Sequence, residues 1–159
     1  MLAIADTHVD ERGVDRLLGR LGDLLPDAHV VLHAGDVTSA AVLDALAQFA
    51  PVHAVRGNND KTPDLLALPE HVDLDLGGTF VHLVHRPQDA RPGEADVVVC
   101  GHTHKVLVED RGGVWWVNPG AAGRRGFHTE RTLALMDLGE GPPRVEVVSL
   151  GPRSLRATG

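Results

Sequence analysis

Residues 2–8 read LAIADTH, residues 30–36 read VVLHAGD and residues 52–60 read VHAVRGNND. Each stretch is a short apolar run that ends in acidic, amide or imidazole side chains. Leu2 to Ala5, Val30 to Leu32 and Val52 to Val55 have the length and composition of buried strands. Between the first two, Val14, Leu17, Leu18, Leu21 and Leu25 recur at helical spacing, with Pro26 as the stop. Between the second and third, Ser39 is placed to cap a helix carrying Val42, Leu43 and Leu46. Strand, helix, strand, helix, strand is a pair of βαβ units with a parallel sheet. In such sheets ligands gather outside the carboxyl ends of the strands, where these polar clusters fall.

The remainder changes character. Strands are expected at Val72–Leu76, Thr79–Val84, Val97–Cys100, Lys105–Val108, Val114–Val117, Thr132–Met136 and Val145–Leu150. Turns at Gly77-Gly78 and Arg111-Gly112-Gly113 separate some of them, and few helical patterns remain. The expected fold is α/β, with two sheets packed face to face and helices outside. One domain over residues 1–150 and a loose polar tail over 151–159 are the expected organisation.

The 159 residues carry 15 Lys and Arg against 22 Asp and Glu, a net charge of −7. An acidic chain is a poor binder of long nucleic acid, which is held by Lys and Arg on phosphates. A small phosphorylated substrate stays open, because bound cations reverse the field locally. The single cysteine, Cys100, excludes a disulfide within the chain and reads as a small buried hydrophobe. No apolar run approaches the roughly 20 residues of a membrane span. The start, MLAIADTH, lacks the basic region and long apolar core of a signal peptide, so a cytoplasmic location is expected. Exposed strand edges in a small sandwich suit a homodimer.

Histidine is abundant, at ten residues, while Tyr is absent and Phe and Trp number three and two. Spacing decides which histidines matter. Five polar clusters fall at strand ends: Asp6-Thr7-His8, Gly35-Asp36, Gly57-Asn58-Asn59-Asp60, His85 and Gly101-His102-Thr103-His104. Asp6 and His8 are two apart, as are His102 and His104, and residues two apart on extended chain share a face. Two carboxylates, one amide and four imidazoles are mixed O and N donors. Without thiolates they fit an open catalytic site better than a closed structural zinc site. Seven ligands exceed what one ion takes and suit two ions roughly 3.5–4 Å apart sharing a carboxylate.

The ordered series D-x-H, G-D, G-N-x-D, H and G-H-x-H resembles the calcineurin-like metallophosphoesterase superfamily over about residues 2 to 138. The short chain, the form G-H-T-H and Asn118-Pro119-Gly120 resemble its small single-domain phosphodiesterase branch. The resemblance implies a four-layer α-β-β-α sandwich of two mixed sheets with flanking helices. It implies that Asp6, His8 and His104 hold one divalent ion, that Asn58, His85 and His102 hold a second, and that Asp36 bridges them. Mn²⁺ is the expected metal, with Fe²⁺, Zn²⁺ or Ni²⁺ as alternatives. A bridging water of lowered pKa would attack the phosphorus of a phosphodiester or, less readily, a monoester. Asp36, Asn58, Asn59, Asp60 and His85 are the catalytic candidates, and Asn59 and Arg86 the substrate-binding ones. The branch has Vps29-type relatives, so a binding module without catalysis is the alternative.

Three positions depart from the pattern. Asn59 stands where many members have His, and an amide cannot act as a general acid. Arg86 and Val9 stand where Gly is usual. Of the other histidines, His82 is weighed against His85 and rejected as a ligand, and His33 reads as a structural neighbour of Asp36. His29, His53 and His71 read as solvated or hydrogen-bonded at element ends. His128, with Arg124 and Arg125, reads as solvated loop in preference to substrate rim. Asp60 reads as a residue that orients the loop or a ligand.

Overall fold

The computed structural model describes residues 1–123 and 126–152. Among these residues, ten strands form two five-stranded mixed sheets. The first sheet holds β1 (Leu2–Ile4), β2 (Val31–His33), β3 (Val52–Ala54), β9 (Glu130–Asp137) and β10 (Arg144–Pro152), in the order β10-β9-β1-β2-β3. β1, β2 and β3 run parallel; on the far side of β1, β9 runs antiparallel to β1 and β10 antiparallel to β9. The second sheet holds β4 (His71–Asp75), β5 (Phe80–Val84), β6 (Val97–Val99), β7 (Leu107–Arg111) and β8 (Val114–Asn118), ordered β4-β5-β6-β8-β7. This is the expected sandwich of two mixed sheets.

The two-residue period of each strand sorts side chains between layers. Leu2, Ile4, Val31 and Leu133 face a core shared with the helices, α1 (Val14–Leu21), α2 (Ala40–Leu46) and α3 (Pro63–Leu66). Their neighbours Ala3, Ala5, Leu32 and Ala134 face the second sheet and pack with Val81, Leu83, Val97, Val99 and Val117. The outer layers are unequal. Beyond the second sheet lies a small cluster of Val84, Ala90, Val98 and Cys100 with Val114 and Trp116, beside a 3-10 turn at Pro87–Asp89. Burial pushes the Cys100 thiol up to about 12, so it behaves as an apolar group.

Several boundaries differ from the expectation. α1 ends at Leu21, before Leu25 and Pro26, because Gly22 takes a positive φ of 33° and starts a 3-10 turn. Ser39 is the N-cap residue of α2, but its side chain makes no capping hydrogen bond. α3 has four residues, too few for periodicity to reveal; Thr62 and Pro63 begin it, and Leu65 is its buried anchor. The strand expected at Lys105–Val108 lies at Leu107–Arg111. Arg111 pairs with Val114, so the hairpin loop is Gly112-Gly113 alone, with φ of 68° and 94°. β10 runs through Gly151 and Pro152 after a register shift at Ser149; the rest of the expected tail lies outside the described residues. Among the described residues, no helix is long and apolar enough to cross a membrane.

Leu32 is fully buried between the sheets. Leu32→Ala is expected to lower unfolding stability by about 2–5 kcal/mol, read as a shift of the urea midpoint at unchanged slope.

Candidate metal centre

The carboxyl ends of β1, β2 and β3, and the loops after β5 and β6, meet at one point. Asp6, His8, Asp36, Asn58, His85, His102 and His104 come from these segments. The route differs from the one expected. Asp6 and His8 are not on extended chain: their φ angles are 52° and 44°, and His102 and His104 have 69° and 58°. Among the described residues, the non-glycine positions with positive φ are these four, Asp36 at 55° and Thr38 at 66°. Left-handed backbone costs an L-residue of order 1–3 kcal/mol and persists where its surroundings impose it. Here it turns neighbouring candidate ligands inward together.

The surroundings that impose it are backbone hydrogen bonds. Asp6 and His8 donate from their N–H groups to Gly35 O and Asp36 O at 3.0 and 3.2 Å. The Asp60 carboxylate, 1% exposed, accepts from Gly57 N at 2.7 Å, Asp36 N at 3.1 Å and Thr38 N at 2.8 Å. Asp60 therefore joins two loops. A Cβ on Gly57 would lie 2.1 Å from Asp36 N, and one on Gly101 would lie 2.9 Å from Asp6 Oδ2. Only glycine allows the chain to pass so closely beneath the ligands.

The side chains form two groups joined by Asp36. In one, His104 Nε2 lies 3.3 Å from Asp6 Oδ1, and His8 Nε2 lies 3.4 Å from Asp36 Oδ2. In the other, His85 Nε2 lies 3.6 Å from Asp36 Oδ1 and 2.9 Å from Asn58 Oδ1, and His102 Nδ1 lies 2.9 Å from Asn58 Oδ1. Asp6, His8 and His104 have ligand atoms within 4.8 Å of one another, as do Asp6, Asp36 and His85.

Two features fit this donor set to cations. Asp6 Oδ2 accepts from His102 N at 3.0 Å, but buried Oδ1 accepts no hydrogen bond among the described residues. His85 Nδ1 lies 2.7 Å from the Ala34 carbonyl, which only accepts, so Nδ1 carries the proton. In the neutral ring Nε2 is then a bare lone pair aimed at two oxygen acceptors. This is the arrangement by which a backbone carbonyl fixes a metal-binding tautomer. Burial, the charge of His85 and that of Arg86 pull the His102 pKa down. Burial alone would raise the Asp36 pKa; two hydrogen bonds from Asn59, with His85 and His8, outweigh it and hold Asp36 below the usual carboxylate range.

The remaining candidates fall around this centre. Asn59 donates from both backbone and side chain to Asp36. Arg86 lines a cleft on the His85 side with Arg56, Asn58, Glu70, His71 and Asp89. His82 is turned to the outer face of the second sheet, where it bonds Asp73 at 2.6 Å and accepts from Arg91 N. His128 corrects the solvated-loop expectation: its ring meets that of His104 edge-on, centroids 5.3 Å apart, and Nε2 donates to Gly123 O. Half-buried, His128 is held by the His104 ring and the Gly123 carbonyl on the wall of the site. Arg124 and Arg125 lie outside the described residues. Sequence reasoning gave no role to Asn118, which is 1% exposed. Its amide donates to Gly101 O and Thr103 Oγ1 and accepts from Gly120 N, tethering the His102–His104 loop. Nor did it identify Lys105 and the fully exposed Phe127, which line the other side of the site.

Comparison with known proteins identifies the family. Residues 1–141 match the calcineurin-like phosphoesterase superfamily domain, and the protein belongs to that family. A probable metallophosphoesterase of Methanothermobacter thermautotrophicus is 30% identical over 129 residues, covering 74% of each chain. Another, from Methanocaldococcus jannaschii, is 29% identical over 130 residues; the match covers 74% of this chain and only 65% of that relative's length. Wild-type Vps29 of Entamoeba histolytica, solved with Zn²⁺, superposes with a TM-score of 0.68 at 24% identity over 94% of this chain and 98% of its own. An archaeal phosphodiesterase gives 0.71 at 22% identity, over 92% and 98%. At these identities the two structures speak for the fold.

His33 supports the centre from below. Gly35 N donates to its Nδ1 at 3.2 Å, so Nε2 carries the proton and faces Thr7 Oγ1 at 3.1 Å. The neutral ring is satisfied, and burial with the charge of His85 lowers its pKa from 6.5 to about 3. Below pH 6.5 the unfolded chain gains a proton that the folded ring refuses, so stability falls as pH falls from 6.5 towards 3. Urea unfolding of the metal-free protein is expected to show this loss, with a shallower pH slope in His33→Asn.

Proposed function

We propose that the protein is a dinuclear-metal-dependent phosphodiesterase that hydrolyses a P–O bond of a small phosphorylated substrate. The observation that carries this reading is the division of the ligands about Asp36, whose two oxygens face different histidines. On this reading Asp6, His8 and His104 hold one ion, Asn58, His85 and His102 hold the other, and Asp36 serves both. Mn²⁺ is the favoured metal, and Fe²⁺, Zn²⁺ and Ni²⁺ suit the same N and O donors. When bound, such a pair acts as a Lewis acid on phosphoryl oxygens and acidifies water.

The chain's own groups do the rest. Ala34 O holds the His85 ring in its ligating tautomer, and Asp60 fixes the loops that carry Asp36 and Asn58. Arg86, beside His85 in the adjoining cleft, is suited to a phosphate oxygen that the ions do not engage. The amide of Asn59 gives no proton to a leaving alkoxide, so substrates with acidic leaving groups are favoured. Likeness to Vps29 supports a second reading, a metal-binding interaction module that does not turn over.

Turnover separates the two readings. Mn²⁺-loaded protein is expected to hydrolyse bis(4-nitrophenyl) phosphate, and much more slowly a dialkyl phosphate; no turnover on any activated diester contradicts the enzyme reading. Asp36→Ala is expected to lose about 100-fold or more of that activity, the upper end of what loss of a group merely supporting a ligand costs, together with one bound ion by calorimetry.

A further inference from the structure

Asn59 is bound to Asp36 through both of its donors. Its backbone N–H donates to Oδ1 at 2.7 Å, and its side-chain Nδ2 donates to Oδ2 at 2.7 Å. One residue thus clips both oxygens of one carboxylate. A carboxylate oxygen has two lone-pair directions, so each oxygen keeps one free. Oδ1 lies 3.6 Å from His85 Nε2, and Oδ2 lies 3.4 Å from His8 Nε2, so the two oxygens are presented to opposite halves of the site.

The terminal torsion of Asp is broad and roughly two-fold, so an unclipped carboxylate would sample rotations that do not present one oxygen to each half. The clip is itself held in place. Asp60, next in sequence, accepts from Gly57, Asp36 and Thr38, which fixes the Asn59 backbone N–H opposite Asp36. We propose, resting on the dinuclear reading above, that Asn59 is a positioning residue. It locks Asp36 in the rotation that serves two ions at once, and its side-chain amide is committed to that bridge rather than to substrate.

The test is titration of metal-free protein with Mn²⁺ alone, by calorimetry and by electron paramagnetic resonance. Asn59→Ala and Asn59→Leu remove the side-chain donor, and Leu retains bulk. Wild type is expected to take up two ions with an exchange-coupled signal. In both variants the affinity is expected to fall roughly tenfold or more, within the range seen when a group supporting a metal ligand is lost, and the coupling to weaken. The Mn²⁺ concentration giving half-maximal hydrolysis of bis(4-nitrophenyl) phosphate should rise in step. Two ions bound as tightly and as strongly coupled in the variants overturn the proposal and leave the dinuclear reading intact. So does unchanged affinity with a low rate at saturating Mn²⁺, which would place Asn59 on the substrate. Uptake of a single ion by wild type sinks the dinuclear reading and this proposal with it. A check free of variants is the Asn59 side-chain amide in Zn²⁺-loaded wild type by NMR. A downfield, slowly exchanging proton is expected, and a solvent-exchanging one contradicts the clip.

Discussion

Asp6 and Asp36 are buried, at 0% and 2% exposure, and each has an oxygen within 4.8 Å of the other's. Two carboxylates this close, away from water, demand positive charge or a ring of donors. The structure supplies donors to Asp36 and to one oxygen of Asp6, and leaves the other Asp6 oxygen without one among the described residues. His85, beside them, is placed to offer a lone pair. His85 has its proton committed to a carbonyl on the far side of the ring. Backbone, glycines and buried polar side chains around this point serve to hold that concentration of lone pairs together.

The price is local backbone strain, and the sandwich carries it. Asp6, His8, Asp36, His102 and His104 all adopt left-handed φ. They are pinned from below by the parallel strands, by Asp60 across two loops, and by Asn118 behind the Gly101–His104 turn. Thr7 and His33, both fully buried, fill the space between the first two loops with a satisfied pair of polar groups. Rigid strands place the loops, and the loops turn the candidate ligand side chains inward to one point.

Much of this was legible from residue patterns. The runs ending in Asp6, Asp36 and Asn58 disclosed parallel strands because buried strands are continuous apolar segments, and their polar ends fell where such sheets bind ligands. The choice of His85 over His82 corresponds to their places: His82 lies on β5 and bonds Asp73, whereas His85 follows the strand and bonds Ala34 O. What stayed hidden depends on contacts distant in sequence or on backbone angles. Left-handed φ at Asp6 and His8 is imposed by Gly35 and Asp36, about thirty residues away. The offset of β7 follows from its pairing with β8, and His128 meets His104 only through tertiary packing. Four residues of α3 carry no period to detect. Asn59 looked like a missing proton donor because its type was visible and its two bonds to Asp36 were not.

The central claim is that the ligands divide about Asp36 into two metal sites. Anomalous scattering from crystals loaded with Mn²⁺ tests it most directly. The account predicts two peaks, one among Asp6, His8 and His104 and one among Asn58, His85 and His102, with Asp36 bound to both. A single peak, or two peaks that do not share Asp36, would contradict it.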